Sequence, residues 1–136
     1  MVMLGIMAEE NENPEEVIID ELLCFVTNKF DILDCDTMVK LCAEKYLNKE
    51  IEKSKKLLFD KLIDEEDFTQ FKKRRSYKPT DRKEEKNIRD IYQLLQEKGC
   101  TKWPKFVALD LSKLPPITFD HIDVTSLLNI QNVKLL

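Results

Sequence analysis

The chain has 136 residues, a length that suits one domain. Charged residues make up 35% of it and apolar residues 43%, against about 25% and about 45–50% in typical globular proteins. Only two glycines occur, Gly5 and Gly99, which argues against a Rossmann-type fold, a P-loop or a many-hairpin β-sandwich, all of which need glycine for turns at φ > 0 or for close approach to phosphate.

The net charge of −4 is unevenly spread. Residues 1–71 hold 18 acidic and 8 basic side chains, net −10, whereas residues 72–136 hold 8 acidic and 14 basic, net +6. Two such halves either attract each other within one fold or face different partners.

Residues 1–13 read as a flexible N-terminus. Their apolar run is short, has no basic flank and leads straight into acid, so it does not have the pattern of a signal peptide. No stretch reaches the roughly 18 apolar residues of a membrane span. Cys24, Cys35, Cys42 and Cys100 form no C-x-x-C pair. The expectation is a chain of the cytoplasm or nucleus with reduced, mostly core thiols.

Asn13-Pro14-Glu15-Glu16 is a helix start signal, with a capping side chain, proline at the first position and acid near the positive dipole end. The spacing of Ile18, Leu22, Phe25 and Val26 then predicts an amphipathic helix over 14–29. After a turn over 30–35, Asp36 is the expected cap of a second helix, with Met38, Val39, Leu41, Cys42 and Tyr46 as its buried stripe. Asn48 is the expected cap of a third, with Ile51, Leu58 and Leu62 inside.

Residues 64–85 break this pattern. An acidic cluster runs into a basic one with only Phe68, Phe71 and Tyr77 as large apolar groups, so the segment reads as a charged, solvated loop. Thr80 or Asp81 opens a fourth helix carrying Ile88, Ile91, Tyr92 and Leu95, and Gly99 stands where a C-terminal glycine ends one. Pro104, Pro115 and Pro116 bar a continuous helix beyond it, and residues 104–119 read as an irregular strap. Asp120 or Asp123 caps a last helix with Val124, Leu127, Leu128 and Val133. That helix reaches Lys134-Leu135-Leu136 with no stop signal, so the natural chain is expected to continue, with a coiled coil beginning here. The fold class is all-α: residues 14–136 as one domain, a small bundle of about five helices with a proline-containing strap before the last.

Three features are candidates for function. The basic run Lys72, Lys73, Arg74 and Arg75, extended by Lys78 and Arg82, could attract the backbone of RNA or DNA, with Tyr77 stacking on a base. It equally fits a nuclear-import signal, or a solvated loop balanced by the acids at 64–67. The strap's anchors, Trp103, Phe106 and Ile117, suit an internal clamp better than an exposed recognition surface. Leu127 and Leu128 on the last helix are candidate contacts for self-association.

Catalysis and metal binding have little to work with. His121 is the only histidine, and Cys35, Cys42, Cys100 and His121 lack the close pairing of structural zinc ligands. No G-x-S-x-G, H-E-x-x-H or Walker motif occurs. A non-enzymatic domain without cofactors is expected.

Several blocks carry a resemblance. They are Glu21–Lys29, Met38–Cys42, Glu50-Ile51, Lys56–Phe59, Phe106–Asp120 and Asp123–Leu128. Together they resemble an N-terminal helical module of metazoan retrotransposon-like first-open-reading-frame proteins, over roughly residues 17–130. The resemblance implies an assembly or nucleoprotein module with no catalytic residues, partnered by itself or by a host protein and working beside an element's RNA. The segment 64–85 falls where that module varies.

Overall fold

The computed structural model describes residues 16–117. Val17, Ile18 and Ile19 are β-branched, a type that loses rotamer freedom in a helix and packs well on a pleat. They form a strand, β1 (Val17–Ile19), in place of the helical turn expected there. The helix starts later, as α1 (Glu21–Asn28), because Asp20 accepts from the Leu23 amide at 2.8 Å and so caps it. Asn13, the expected cap, lies outside the described residues.

α2 (Cys35–Lys45) is capped by Asp34, which accepts from the Thr37 amide at 2.7 Å. The expected cap, Asp36, sits in the first turn and faces Lys78 and Arg89 instead. α3 (Asn48–Leu62) begins where expected, although Asn48 is its first residue and not its cap. There the Glu50 carboxylate accepts from the Leu47 amide at 2.8 Å.

The segment expected as a loop over 64–85 holds a ten-residue helix, α4 (Glu65–Arg74). Asp64 caps it by accepting from the Asp67 amide at 2.7 Å. The acid-then-base order that reads as solvated loop is also the order the helix dipole favours: Glu65, Glu66 and Asp67 in the first turn, Lys72, Lys73 and Arg74 in the last. Phe68 and Phe71 lie one turn apart, and their rings meet Phe59 edge-on with centroids 5.7 and 5.2 Å away. Phe71 is fully buried. Only residues 75–82 remain as a connection.

α5 (Lys83–Lys98) is the central helix, packed on α2 and α3. Ile88, Ile91, Leu94 and Leu95 are all fully buried, each contributing about 1.5–3 kcal/mol by leaving water. Its cap is Arg82, not Thr80 or Asp81, and the Glu85 carboxylate accepts the Arg82 amide at 2.7 Å. Gly99 ends it with φ of 83°, a conformation that side-chain-bearing residues rarely adopt.

The chain then returns across the bundle through a 3₁₀ turn (Cys100–Lys102), a strand β2 (Lys105–Val107) and a second 3₁₀ turn (Leu111–Lys113). β2 pairs parallel with β1 in the register Val17–Lys105, Ile18–Phe106, Ile19–Val107. All five helices lie in the crossover between the two strands. The all-α bundle with a proline-containing strap is therefore the observed architecture. Its five described helices include α4, while the expected last helix, with Leu127 and Leu128, falls outside the described residues. No described helix is long and apolar enough to cross a membrane.

Candidate interaction surfaces

The cations of the basic run are distributed over three environments. Arg74 bonds to Glu97 at 2.9 Å, Lys78 to Asp36 at 2.6 Å, and Arg82 reaches Glu85 at 3.5 Å. Arg75 turns inward, its Nε 3.6 Å from Asp90 and without a hydrogen-bond partner among the described residues. Only Lys72 and Lys73 have no carboxylate partner among the described residues, and the Lys72 amine sits 4.6 Å over the Phe68 ring. So four of the six residues already face acids of their own chain, and the run does not present one continuous cationic surface.

The inward-facing part converges on Asp90, a fully buried carboxylate on α5. Lys55 from α3 donates to it at 2.6 Å, and the Tyr77 hydroxyl lies within 2.9–3.0 Å of both its oxygens. Asn87, one turn before, accepts from Lys55 at 3.2 Å and donates to Asn48 at 3.1 Å. Burial, and then the hydrogen bond to Asp90, push the Tyr77 hydroxyl up to about 12. A buried carboxylate needs such partners to stay charged. The network ties the 75–78 segment to α3 and α5. Its sequence signal is Asn87 and Asp90 standing on the apolar stripe of an amphipathic helix.

A second cluster joins α2 to the same connection. Arg89 donates to Asp81 at 2.5 Å and to Asp36 at 3.0 Å. The hydrogen bonds from Lys78 and then Arg89 hold the Asp36 carboxyl below the usual range.

The strap residues are clamps. Phe106 is buried, and Ile117 is half-buried against the core. Trp103 donates from its indole nitrogen to the Leu95 carbonyl at 3.0 Å and meets Phe30 edge-on at 5.1 Å. Tyr46 donates to the Lys113 carbonyl at 2.7 Å, and Glu21 accepts from the Leu109 and Asp110 amides at 3.0 and 3.3 Å. The large apolar side chains left outside on the strap and β1 are Leu109, Leu111, Val17 and Ile19.

A cleft of about 410 Å³ opens between α3 and α4. Its floor is apolar, formed by Phe59, Ile63 and Phe68. Glu52, Asp60, Asp64 and Glu65 line it together with Lys55 and Lys56. Lys55 is committed to Asp90, Lys56 pairs with Asp60 at 3.2 Å and Lys83 reaches Glu52 at 3.5 Å, so Asp64 and Glu65 are the rim acids with no basic partner among the described residues. Sequence reading does not find this site because it depends on α4 being a helix beside α3.

The thiols divide by burial. Cys42 is fully buried, which pushes it up to about 12, and burial also raises Cys24 and Cys35. Cys100 is exposed. Among the described residues, no group of three His, Cys, Asp or Glu side chains is placed to hold a metal ion. Comparison with protein-family models, with curated proteins and with solved structures finds no match for this chain.

Proposed function

We propose that this chain is a non-enzymatic helical protein-interaction domain whose α3/α4 cleft takes an apolar anchor from a cationic partner segment. The observation that carries this reading is the cleft itself. Its volume falls in the range of ligand sites, and a phenylalanine floor inside an acidic rim complements a segment that mixes large apolar side chains with lysine or arginine. The apolar anchor supplies affinity by desolvation, and the rim supplies selectivity for sign of charge. The resemblance to the N-terminal module of retrotransposon-like proteins points the same way, towards an assembly role beside an element's RNA in the cytoplasm or nucleus.

The test is an NMR titration of the isotope-labelled chain with two amphipathic model helices, one of leucine and lysine, the other of leucine and glutamate. Shifts at Phe59, Ile63 and Phe68 are expected with the lysine peptide alone, weakened by Glu65→Lys. Equal response to both peptides, or shifts elsewhere, would overturn the reading. Light scattering of the free chain shows whether the natural occupant is a second copy.

The alternative is nucleic-acid binding through Lys72, Lys73, Arg74, Arg75, Lys78 and Arg82. Lys72 and Lys73 are the observation in its favour, as exposed cations with no acidic partner among the described residues. The internal pairing of the other four weighs against a strong site, because each must exchange a carboxylate for a phosphate. Filter binding at two salt concentrations measures it. A salt-insensitive affinity, or one unmoved by Lys72→Ala with Lys73→Ala, would rule it out.

A further inference from the structure

We propose that Ser76 is an acceptor site for a serine kinase that recognises basic sequences, and that its phosphate loosens the hold of the 75–78 segment on Asp90. Ser76 is exposed and stands in a connection with no regular structure, entered from Arg75 at φ −56° and ψ 142°, an extended conformation. Lys72, Lys73, Arg74 and Arg75 immediately precede it. Thr69, Thr80, Thr101 and Ser112, the other exposed hydroxyls among the described residues, follow no such run.

Kinases bind their substrate segment extended, and charge patterns around the hydroxyl set their preference. Here the cations two and three residues before the acceptor are Arg74 and Lys73, in the last turn of α4, a turn that must fray for a kinase to read them extended. Lys73 has no acidic partner among the described residues, and Arg74 holds only a solvent-exposed pair with Glu97, which exchanges at little cost for a kinase carboxylate. In the transfer, the Ser76 Oγ forms a bond to the γ-phosphorus of ATP as the bond to the bridging oxygen breaks. The electron pair leaves with ADP, and the hydroxyl proton passes to the kinase's catalytic aspartate.

The product carries about −1.5 to −2 charge one residue from Arg75 and Tyr77. The Arg75 Nε is the one buried side-chain polar atom without a hydrogen-bond partner among the described residues, at 3.6 Å from Asp90. Its guanidinium is the donor least committed to the Asp90 network. A neighbouring phosphate offers it a bidentate partner in reach of solvent. Drawing Arg75 outward removes one tie between the end of α4 and α5, leaving Lys55 and Tyr77 on the carboxylate.

The experiment treats the folded chain with the catalytic subunit of cAMP-dependent protein kinase and ATP, followed by intact mass and amide exchange. One phosphate is expected on the wild type, none on Ser76→Ala, and slower incorporation on Arg74→Gln. Amide exchange over 72–78 should quicken several-fold after modification. No incorporation into the folded wild type, or incorporation that survives Ser76→Ala, overturns the site. Unchanged exchange in the stoichiometrically modified chain overturns the loosening. Ser76→Ala removes only an exposed hydroxyl, so circular dichroism should show its fold intact.

Discussion

Tyr77 and Asp90 meet across the connection between α4 and α5, the phenolic oxygen 2.9 and 3.0 Å from the two carboxylate oxygens of a side chain that water does not reach. The pair lets a segment that is mostly charged lie down on the bundle. Tyr77 supplies an apolar ring flanked by Arg75 and Lys86, and Asp90 gives its hydroxyl a destination.

Asp90→Ala should be among the most damaging single substitutions outside the apolar core. It leaves the Lys55 amine and the Arg75 guanidinium partly buried without their counter-charge, and removing one partner of a buried ion pair costs about 3–5 kcal/mol. Because both cations keep some solvent exposure, a loss near the lower end, about 3 kcal/mol, is expected in urea unfolding. A loss under about 1 kcal/mol would mean that the network adds little. Tyr77→Phe should lose about 1.5–3 kcal/mol, the usual value for a hydrogen bond to a charged group.

The strap should respond in two separable ways. Phe106→Ala empties a buried site under β2 and is expected to cost about 3–5 kcal/mol of global stability. Tyr46→Phe removes only the bond to the Lys113 carbonyl and should cost about 1 kcal/mol. Its larger effect should be local, with faster proteolysis in residues 108–117. If both variants lose the same global stability and show no local difference, the strap is not an independently opening unit.

Thiol titration with a disulfide reagent should resolve the cysteines by burial. Cys100 is exposed and is expected to react first, whereas Cys24 and Cys35 are half-buried and should follow slowly. Cys42, fully buried and pushed up to about 12, should stay silent until denaturant is added. Mass mapping after brief exposure checks the order. Early labelling of Cys42 would contradict the placement of α2.

Acid should weaken the fold through its ion pairs. Asp36 is held below the usual carboxylate range by Lys78 and then Arg89, and Glu97 by Arg74 despite some burial. Their stability is therefore fully present above the ordinary carboxylate values, about pH 4, and is lost as pH falls through the lowered folded-state values. Asp20 has the opposite sign. Burial raises it, outweighing the Leu23 amide and Ser54, so its protonation on acidification partly offsets the loss. Urea midpoints should fall as pH drops below about 4, and fall less in Asp36→Asn.

Most of the bundle was legible in the sequence because its signals are local. The stripe of α5, its terminating Gly99 and the core faces of α2 and α3 all follow from helical spacing. The two departures have non-local causes. Val17–Ile19 is a strand because Lys105–Val107 lies beside it, and nothing near residue 17 announces a partner 88 positions away. α4 is a helix because Phe59 waits on α3 to receive Phe68 and Phe71. On its own, a run of four acids followed by four bases looks like a solvated linker. The candidate cleft inherits that difficulty, since half of it belongs to α4. The basic run was legible as composition, but its pairing with Asp36, Glu85, Asp90 and Glu97 required the fold.

The parallel pairing of β1 with β2 also fixes how the domain bears load. The chain enters the sheet at Val17, opposite Lys105, and leaves it at Val107, opposite Ile19. Tension along the backbone therefore pulls the two strands lengthwise past each other. The strap bonds at Glu21 and Tyr46, which lie beyond β2, should yield first. After them the interstrand bonds are strained together, in shear, and do not unzip one at a time. A two-stranded sheet of three residues each should therefore resist in shear ahead of the five helices between its strands, and force spectroscopy on Ile18→Gly would show a lower rupture force.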